Sequence, residues 1–174
     1  MERYVKNTFC INRRLTPGHY GLADVFTDIH SYEILRTIFE GTGVLDQVLA
    51  QTRVILTDRI CEMFVDNHDG SITIGLSHLR TATEEILYLD IIHELCHVQQ
   101  FRDGRDLYDP SRAYVDRDTE IEAYLVTVRE ARRIGLDDEA IAEYLRVSWV
   151  TPREHERLAR RLNVIVTAKE NDAL

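Results

Sequence analysis

The segment at residues 81–104, TATEEILYLDIIHELCHVQQFRDG, constrains the fold more than any other part of the sequence. Its apolar side chains recur with the period of a helix, at Ile86, Leu89, Ile92 and Cys96. Thr81 and Glu84 have the spacing of a capping box, and Gly104 is a residue type at which helices end. The segment therefore predicts a helix of about 20 residues whose apolar face is wide enough to be largely buried.

The elements around this helix predict an α+β fold. Before it, the patterns indicate helices at residues 30–40 and 44–50 and strands at residues 53–57, 60–65 and 71–77. Asp69 and Gly70, between the last two strands, are a strong hairpin signal. After it, a polar loop at residues 105–118 precedes helices at residues 119–134 and 137–147 and a helix that begins at Pro152. We expect a small antiparallel β-ribbon packed against two long helices, with further N- and C-terminal helices.

Composition and charge exclude several classes of protein. The chain has 174 residues, of which 44% are hydrophobic and 29% are charged, as in ordinary globular proteins. No apolar stretch approaches the roughly 18 residues that a membrane-spanning helix needs. The formal net charge of −9 argues against nucleic acid as a partner, since phosphate contacts require a basic surface. We therefore expect a globular protein that binds neither membrane nor nucleic acid.

The N-terminus and the cysteines bear on the compartment. The N-terminal sequence MERYVKNTFCINRR lacks the apolar core of a signal peptide. Cys10, Cys61 and Cys96 are isolated and form no C-x-x-C pair, which suits a reducing compartment and argues against a disulfide framework. Both observations predict a cytoplasmic protein.

The long helix carries His93, Glu94 and His97 in the order H-E-x-x-H. Histidines four residues apart are separated by about 40° around a helix axis, so both can reach one metal ion. Glu94 lies about 100° from His93 around the axis, where it can act on a water molecule beside the metal. Two buried imidazoles and a carboxylate can also form a satisfied polar cluster in a core. Because burying them without partners is costly, we favour a zinc site in which Glu94 is the general base.

A catalytic zinc site usually has three protein ligands, and three side chains compete for the third position. Asp103 would complete a longer motif, but Gln100 occupies the position where that motif has a glycine to turn the chain. The next helix offers Glu120 and Glu122, which lie about 200° apart and cannot both face one metal. Glu120 shares its face with Ala123, Tyr124, Thr127 and Ala131, whereas Glu122 neighbours Arg129 and Arg133. This projection favours Glu120 and leaves Glu122 as the alternative.

The pattern His93-Glu94-x-x-His97, followed by a helix with Glu120-Ile121-Glu122-Ala123, resembles the gluzincin zinc metallopeptidases. The short ribbon and the small size are similar to the compact minigluzincins. In several members the third ligand is the first glutamate of an E-x-x-A segment, here Glu120. Many members carry an acidic residue after the alanine, whereas Tyr124 stands there in this chain. This departure leaves the residue that orients the ligating histidines unassigned.

The resemblance, which covers residues of about 50–135, implies the remaining expectations. Residues 1–135 would form a zincin-like metallopeptidase domain, and residues 136–174 a helical extension packed on it. The two long helices of the α+β fold would be the zinc-binding helix and the glutamate helix. The protein would be an enzyme, a hydrolase that cleaves a peptide or protein substrate with Zn²⁺ and Glu94. The strand SITIGLS would offer a free edge to an extended peptide.

Three questions stay open: the oxyanion donor, self-inhibition, and the choice between an enzyme and an inactive module. The candidate groups for stabilising the oxyanion are the hydroxyls of Tyr108, Tyr114 and Tyr124 and the imidazole of His155. Self-inhibition by the C-terminal segment is a hypothesis that truncation after Asn163 would test. The rival class is a catalytically inactive, zinc-stabilised binding or regulatory module with the same fold, for which Glu94 would have no use.

Overall fold

The computed structural model describes residues 9–40 and 43–166. It confirms the α+β class, with helices and one four-stranded sheet in the described part of the chain. The chain forms two compact units, Met1–Tyr108 and Asp109–Leu174. The domain boundary after residue 135 that we expect from the sequence stays a prediction.

The first unit contains the sheet and the long helix. Its helices are α1 (Leu22–Val25), α2 (Leu35–Ile38), α3 (Val44–Gln51), α4 (Leu76–Thr81) and α5 (Glu84–Arg102). Its strands are β1 (Gly18–Gly21), β2 (Arg53–Thr57), β3 (Met63–Val65) and β4 (Ile72–Gly75). A 3₁₀ turn lies at Ile29–Ser31. The predicted long helix is thus confirmed as α5, which has 19 residues and packs against β3 and α2.

The sheet is mixed, with strand order β1-β2-β4-β3. The predicted hairpin is confirmed, because β3 and β4 pair antiparallel and Gly70 between them has φ +71°. The expectation of a purely antiparallel ribbon is wrong, since β2 pairs parallel with β4 and the unpredicted β1 pairs with β2. Val54 and Leu56 of β2 lie opposite Ile72 and Ile74 of β4, and all four are buried. The two strands lie side by side at the centre of the sheet, where such burial is expected.

The end of strand β4 and the start of helix α5 differ from the prediction for local reasons. The strand predicted to reach residue 77 ends at Gly75, and α4 follows at once. Thr81 is the last residue of α4, where its hydroxyl donates to the Ser77 carbonyl at 2.8 Å. Thr83 therefore caps α5 in its place, by accepting a hydrogen bond from the Ile86 amide.

The helix predicted at residues 30–40 is interrupted at Tyr32, whose backbone is extended. The Tyr32 ring packs edge-on against Phe9 and Tyr88, and its hydroxyl donates to Asp28 at 2.9 Å. Tertiary packing of this ring thus overrides the helical period of the segment.

The second unit is helical in its described part. It contains α6 (Asp118–Arg133), α7 (Asp138–Tyr144) and α8 (Pro152–Arg161), with a 3₁₀ turn at Tyr114–Asp116. These helices agree with the prediction, and Thr151 and Glu154 form a capping box at the start of α8. Arg157 and Arg161 of α8 form ion pairs with Asp116, with nitrogen–oxygen distances of 2.7 and 3.1 Å.

Among the described residues, every helix is too short or too polar to span a membrane.

Helix α5 is buried on nearly every side, with Leu89, Ile92 and Leu95 fully inaccessible. A helix buried in this way holds its polar side chains in fixed positions, because the surrounding core leaves them little space to move.

Candidate metal centre

Helix α5 buries all three residues of the H-E-x-x-H pattern. His93, Glu94 and His97 are only 5%, 7% and 6% exposed. The two imidazole rings meet edge to face, with centroids 4.7 Å apart and Nε2 atoms 3.0 Å apart. The one-turn spacing of the sequence therefore produces the predicted convergence of two ring nitrogens.

Glu120 joins the two histidines. It lies in the first turn of α6 and is 4% exposed. One ligand atom from each of His93, His97 and Glu120 lies within 4.8 Å of the other two. This buried group could hold a metal ion, as the helical projection of Glu120 indicated.

The two competing carboxylates are placed differently. Glu122 is exposed on α6, and the group of possible ligands does not include it. Asp103 is exposed at the C-terminal end of α5, where it accepts a hydrogen bond from the Gln99 amide at 2.9 Å. Neither side chain belongs to the buried group.

Sequence reasoning missed the contact between Gln100 and His97. This residue is 6% exposed, and its Oε1 lies 2.7 Å from Nδ1 of His97. Because an amide oxygen only accepts, Nδ1 of His97 donates, and Nε2 of the neutral ring then carries a lone pair. The spacing of three residues on one helix was the available signal, but Gln100 had significance in the sequence only as the residue at the glycine position of the longer motif.

The donor set fits a metal ion. Two imidazole nitrogens and one carboxylate oxygen suit divalent transition metals, whereas calcium and magnesium prefer sites made of oxygen atoms. Because Nε2 of His97 is the nitrogen that faces Nε2 of His93, its lone pair lies where a shared ligand would bind. The chemistry of the group is therefore that of a metal-binding site with histidine and carboxylate ligands.

The four candidate oxyanion donors each make a hydrogen bond of their own. Nε2 of His155 lies 2.6 Å from the Ala142 carbonyl oxygen, and His155 is buried. The hydroxyls of Tyr114 and Tyr124 are 2.8 Å apart. Tyr108 donates to the Val65 carbonyl at 2.5 Å. These contacts identify none of the four groups as an oxyanion donor.

The edge strands of the sheet in the described residues are β1 and β3, and not the predicted strand SITIGLS. That strand is β4, which lies between β2 and β3, so both of its edges are paired. Among the described residues, β3 pairs only with β4. Two hydrogen bonds show which residues of this strand direct their backbone groups toward β4. They run from the Gly75 amide to the Glu62 carbonyl and from the Asp66 amide to the Ser71 carbonyl. The backbone groups of Met63 and Val65 therefore face away from β4.

His78 of α4 and Asp90 of α5 form a partly buried pair, with Nε2 and Oδ2 2.7 Å apart. Burial opposes the charged form of His78, but the hydrogen bond to Asp90 and the charges of Asp90 and Glu62 together outweigh it and raise the pKa of His78. The stability from this pair is complete below the ordinary histidine pKa of 6.5 and is lost as pH rises through the higher folded-state pKa.

We expect His78→Gln to destabilise the protein more at low pH than at high pH. Urea unfolding between about pH 5 and pH 9 would measure the difference from wild type. The exposed His68 of the same unit supplies a control, His68→Gln. A difference between wild type and His78→Gln that stays constant across this range would contradict the predicted linkage.

The chain matches no protein-family model, no curated protein and no solved structure with which it was compared. What the group can do chemically therefore follows from its own residues.

Proposed function

We propose that this protein is a zinc-dependent metallopeptidase. The observation that carries the proposal is the buried group of His93, His97 and Glu120, with Glu94 directly beside His93 on the same helix. Two histidines and one glutamate are a ligand set of zinc peptidases, which leave a fourth position open for water or substrate. The resemblance to gluzincins supports the same activity, because it rests on these four residues.

The residues of the chain have distinct roles in this proposal. When bound to such ligands, zinc supplies Lewis acidity, which makes water more acidic and a peptide carbonyl more electrophilic. His93, His97 and Glu120 hold the ion. Glu94 takes the proton of the attacking water and passes it to the leaving amine. Because Glu94 is 7% exposed, bulk water competes little with its proton transfer.

The substrate we propose is an extended peptide that pairs with the outer edge of β3. The N–H and C=O of Met63 face this edge, and so does the N–H of Val65. The Val65 carbonyl already accepts the Tyr108 hydroxyl, so a peptide would have to displace that hydroxyl or pair beside it. Helix α5 packs against the same strand, which supports binding of a peptide near the histidines.

A cytoplasmic location is part of the proposal. Its support is that Cys10, Cys61 and Cys96 are isolated in the sequence and form no C-x-x-C pair, as expected in a reducing compartment.

Cleavage of a peptide library, followed by mass spectrometry, tests the proposed activity. We expect the zinc-loaded protein to cleave a subset of peptides, 1,10-phenanthroline to abolish cleavage, and added zinc to restore it. A zinc-loaded protein that cleaves no peptide would favour the inactive binding or regulatory module. Cleavage that survives complete removal of the metal would exclude a metallopeptidase mechanism.

A truncated chain belongs in the same assay, because latency could hide activity. Residues 167–174 lie outside the described residues, and self-inhibition by the C-terminal segment stays a hypothesis. Truncation after Val166 is preferable to truncation after Asn163, since it keeps the buried Val164 and the hydrogen bond from the Ile165 amide to Asp138. Activity that appears only in the truncated chain would identify the tail as the inhibitor.

A further inference from the structure

We infer that Gln100 is a positioning residue, which fixes the proton of His97 on Nδ1 and thereby presents Nε2 to the metal. The inference rests on the metal centre of the proposed function, but it does not depend on peptidase activity. The residue that orients the ligating histidines was unassigned, because Tyr124 and not an acidic residue follows Ala123. Gln100 would take that role for His97.

The geometry of the contact is that of a strong, protected hydrogen bond. Oε1 of Gln100 lies 2.7 Å from Nδ1 of His97, and both residues are 6% exposed. Both side chains leave the same buried helix three residues apart, so the helix itself sets their separation. Little water reaches this contact to compete for either group.

The direction of the hydrogen bond decides which ring nitrogen can bind a metal. A neutral histidine in water carries its proton mostly on Nε2, which is the nitrogen that must be unprotonated here. A partner that accepts from Nδ1 reverses this preference and fixes the ring orientation. If the amide nitrogen of Gln100 faced Nδ1 instead, Nε2 of His97 would keep its proton and could not act as a ligand.

An amide also suits the charge of this site. Glu94 and Glu120 already place two carboxylates among buried residues. A neutral acceptor orients His97 without adding a third negative charge, whose burial would be costly. A carboxylate at the same position would still accept from Nδ1 and would make the ring more basic, so it should preserve metal affinity or increase it.

The test uses three variants of the full chain. Gln100→Leu keeps a similar volume and removes the acceptor, and Gln100→Glu keeps an acceptor. Gln99→Leu is the matched control, because the Gln99 amide donates to Asp103 at the helix end. Zinc affinity is measured for each protein by competition with a chelating dye. We expect Gln100→Leu to lose about 10- to 100-fold in affinity, whereas Gln100→Glu and Gln99→Leu bind at least nearly as tightly as wild type.

A second readout separates orientation from mere structural damage. In the metal-free protein, ¹⁵N shifts of the His97 ring report which nitrogen is protonated. We expect the Nδ1–H form in wild type and in Gln100→Glu, and a shift toward the Nε2–H form in Gln100→Leu. If Gln100→Leu only lowered stability, the His97 ring in the molecules that remain folded would carry its proton on the same nitrogen as in wild type.

The outcomes separate the inference from the proposed peptidase activity. An Nε2–H form in metal-free wild type, or unchanged zinc affinity in Gln100→Leu, overturns the role of Gln100. Zinc binding that depends on Gln100 in a protein that cleaves no peptide leaves this role intact and removes the peptidase proposal. A wild-type protein that binds no zinc overturns both.

Discussion

Glu94→Gln should lower kcat/KM for any cleaved peptide by about 10²- to 10⁴-fold, because it removes the general base. The substitution keeps the size of the side chain and its place between His93 and Leu95, so zinc content and unfolding free energy should change little. Steady-state kinetics on the best library peptide, with zinc measured on the same preparation, would report both quantities. Loss of turnover without loss of zinc is the result that distinguishes an enzyme from a zinc-stabilised module.

Glu85→Gln is the control for this comparison. Glu85 lies in the first turn of the same helix and is exposed. Its substitution should leave turnover unchanged, since it removes only a favourable charge near the helix N-terminus. Turnover of Glu94→Gln equal to that of wild type would show that another group takes the proton, and the proposed mechanism would be wrong.

Glu120→Ala should lose zinc, and Glu122→Ala should keep it. Glu120 is 4% exposed and supplies one ligand atom to the buried group, whereas Glu122 lies on the exposed side of the same helix. Removal of a direct ligand should weaken binding by more than the roughly 10- to 100-fold expected for an orienting partner. Zinc titration of the three proteins, after circular dichroism has verified that each is folded, would measure the effect.

The alternative result would identify a different ligand. Loss of zinc from Glu122→Ala alone would require α6 to present its other face, and the group of His93, His97 and Glu120 would not be the binding site. Equal affinity in all three proteins would mean that neither glutamate is a ligand.

The buried group of His93, His97 and Glu120, which could hold a metal ion, was predictable because its signals are local to two helices. The one-turn spacing of His93 and His97 fixes their relative positions on any helix, whatever the rest of the fold. The choice of Glu120 over Glu122 followed from the small and apolar residues on its face of α6. Both deductions need only the helical period and a buried face.

The sheet and the helix boundaries were less predictable, because non-local contacts decide them. Nothing in three consecutive short strands reveals that β2 pairs parallel with β4, since this pairing depends on the burial of Val54, Leu56, Ile72 and Ile74 together. The sequence predicted Thr81 as the cap of the long helix, but Thr81 ends α4 and Thr83 caps α5 instead.

Gln100 shows a different limit of sequence reasoning. Glutamine is a common residue on helices, and its spacing from His97 alone does not distinguish a solvent-facing amide from a buried acceptor. The burial of both side chains and the 2.7 Å distance between Oε1 of Gln100 and Nδ1 of His97 identify this glutamine as a buried acceptor.

The zinc content of the purified wild-type protein tests the central claim most directly. The protein would be stripped with chelator, reloaded with zinc, dialysed against metal-free buffer and analysed by elemental analysis. The buried group of His93, His97 and Glu120 predicts close to one zinc ion per chain. A protein that retains no zinc after reloading would contradict the metal centre, and with it the proposed peptidase.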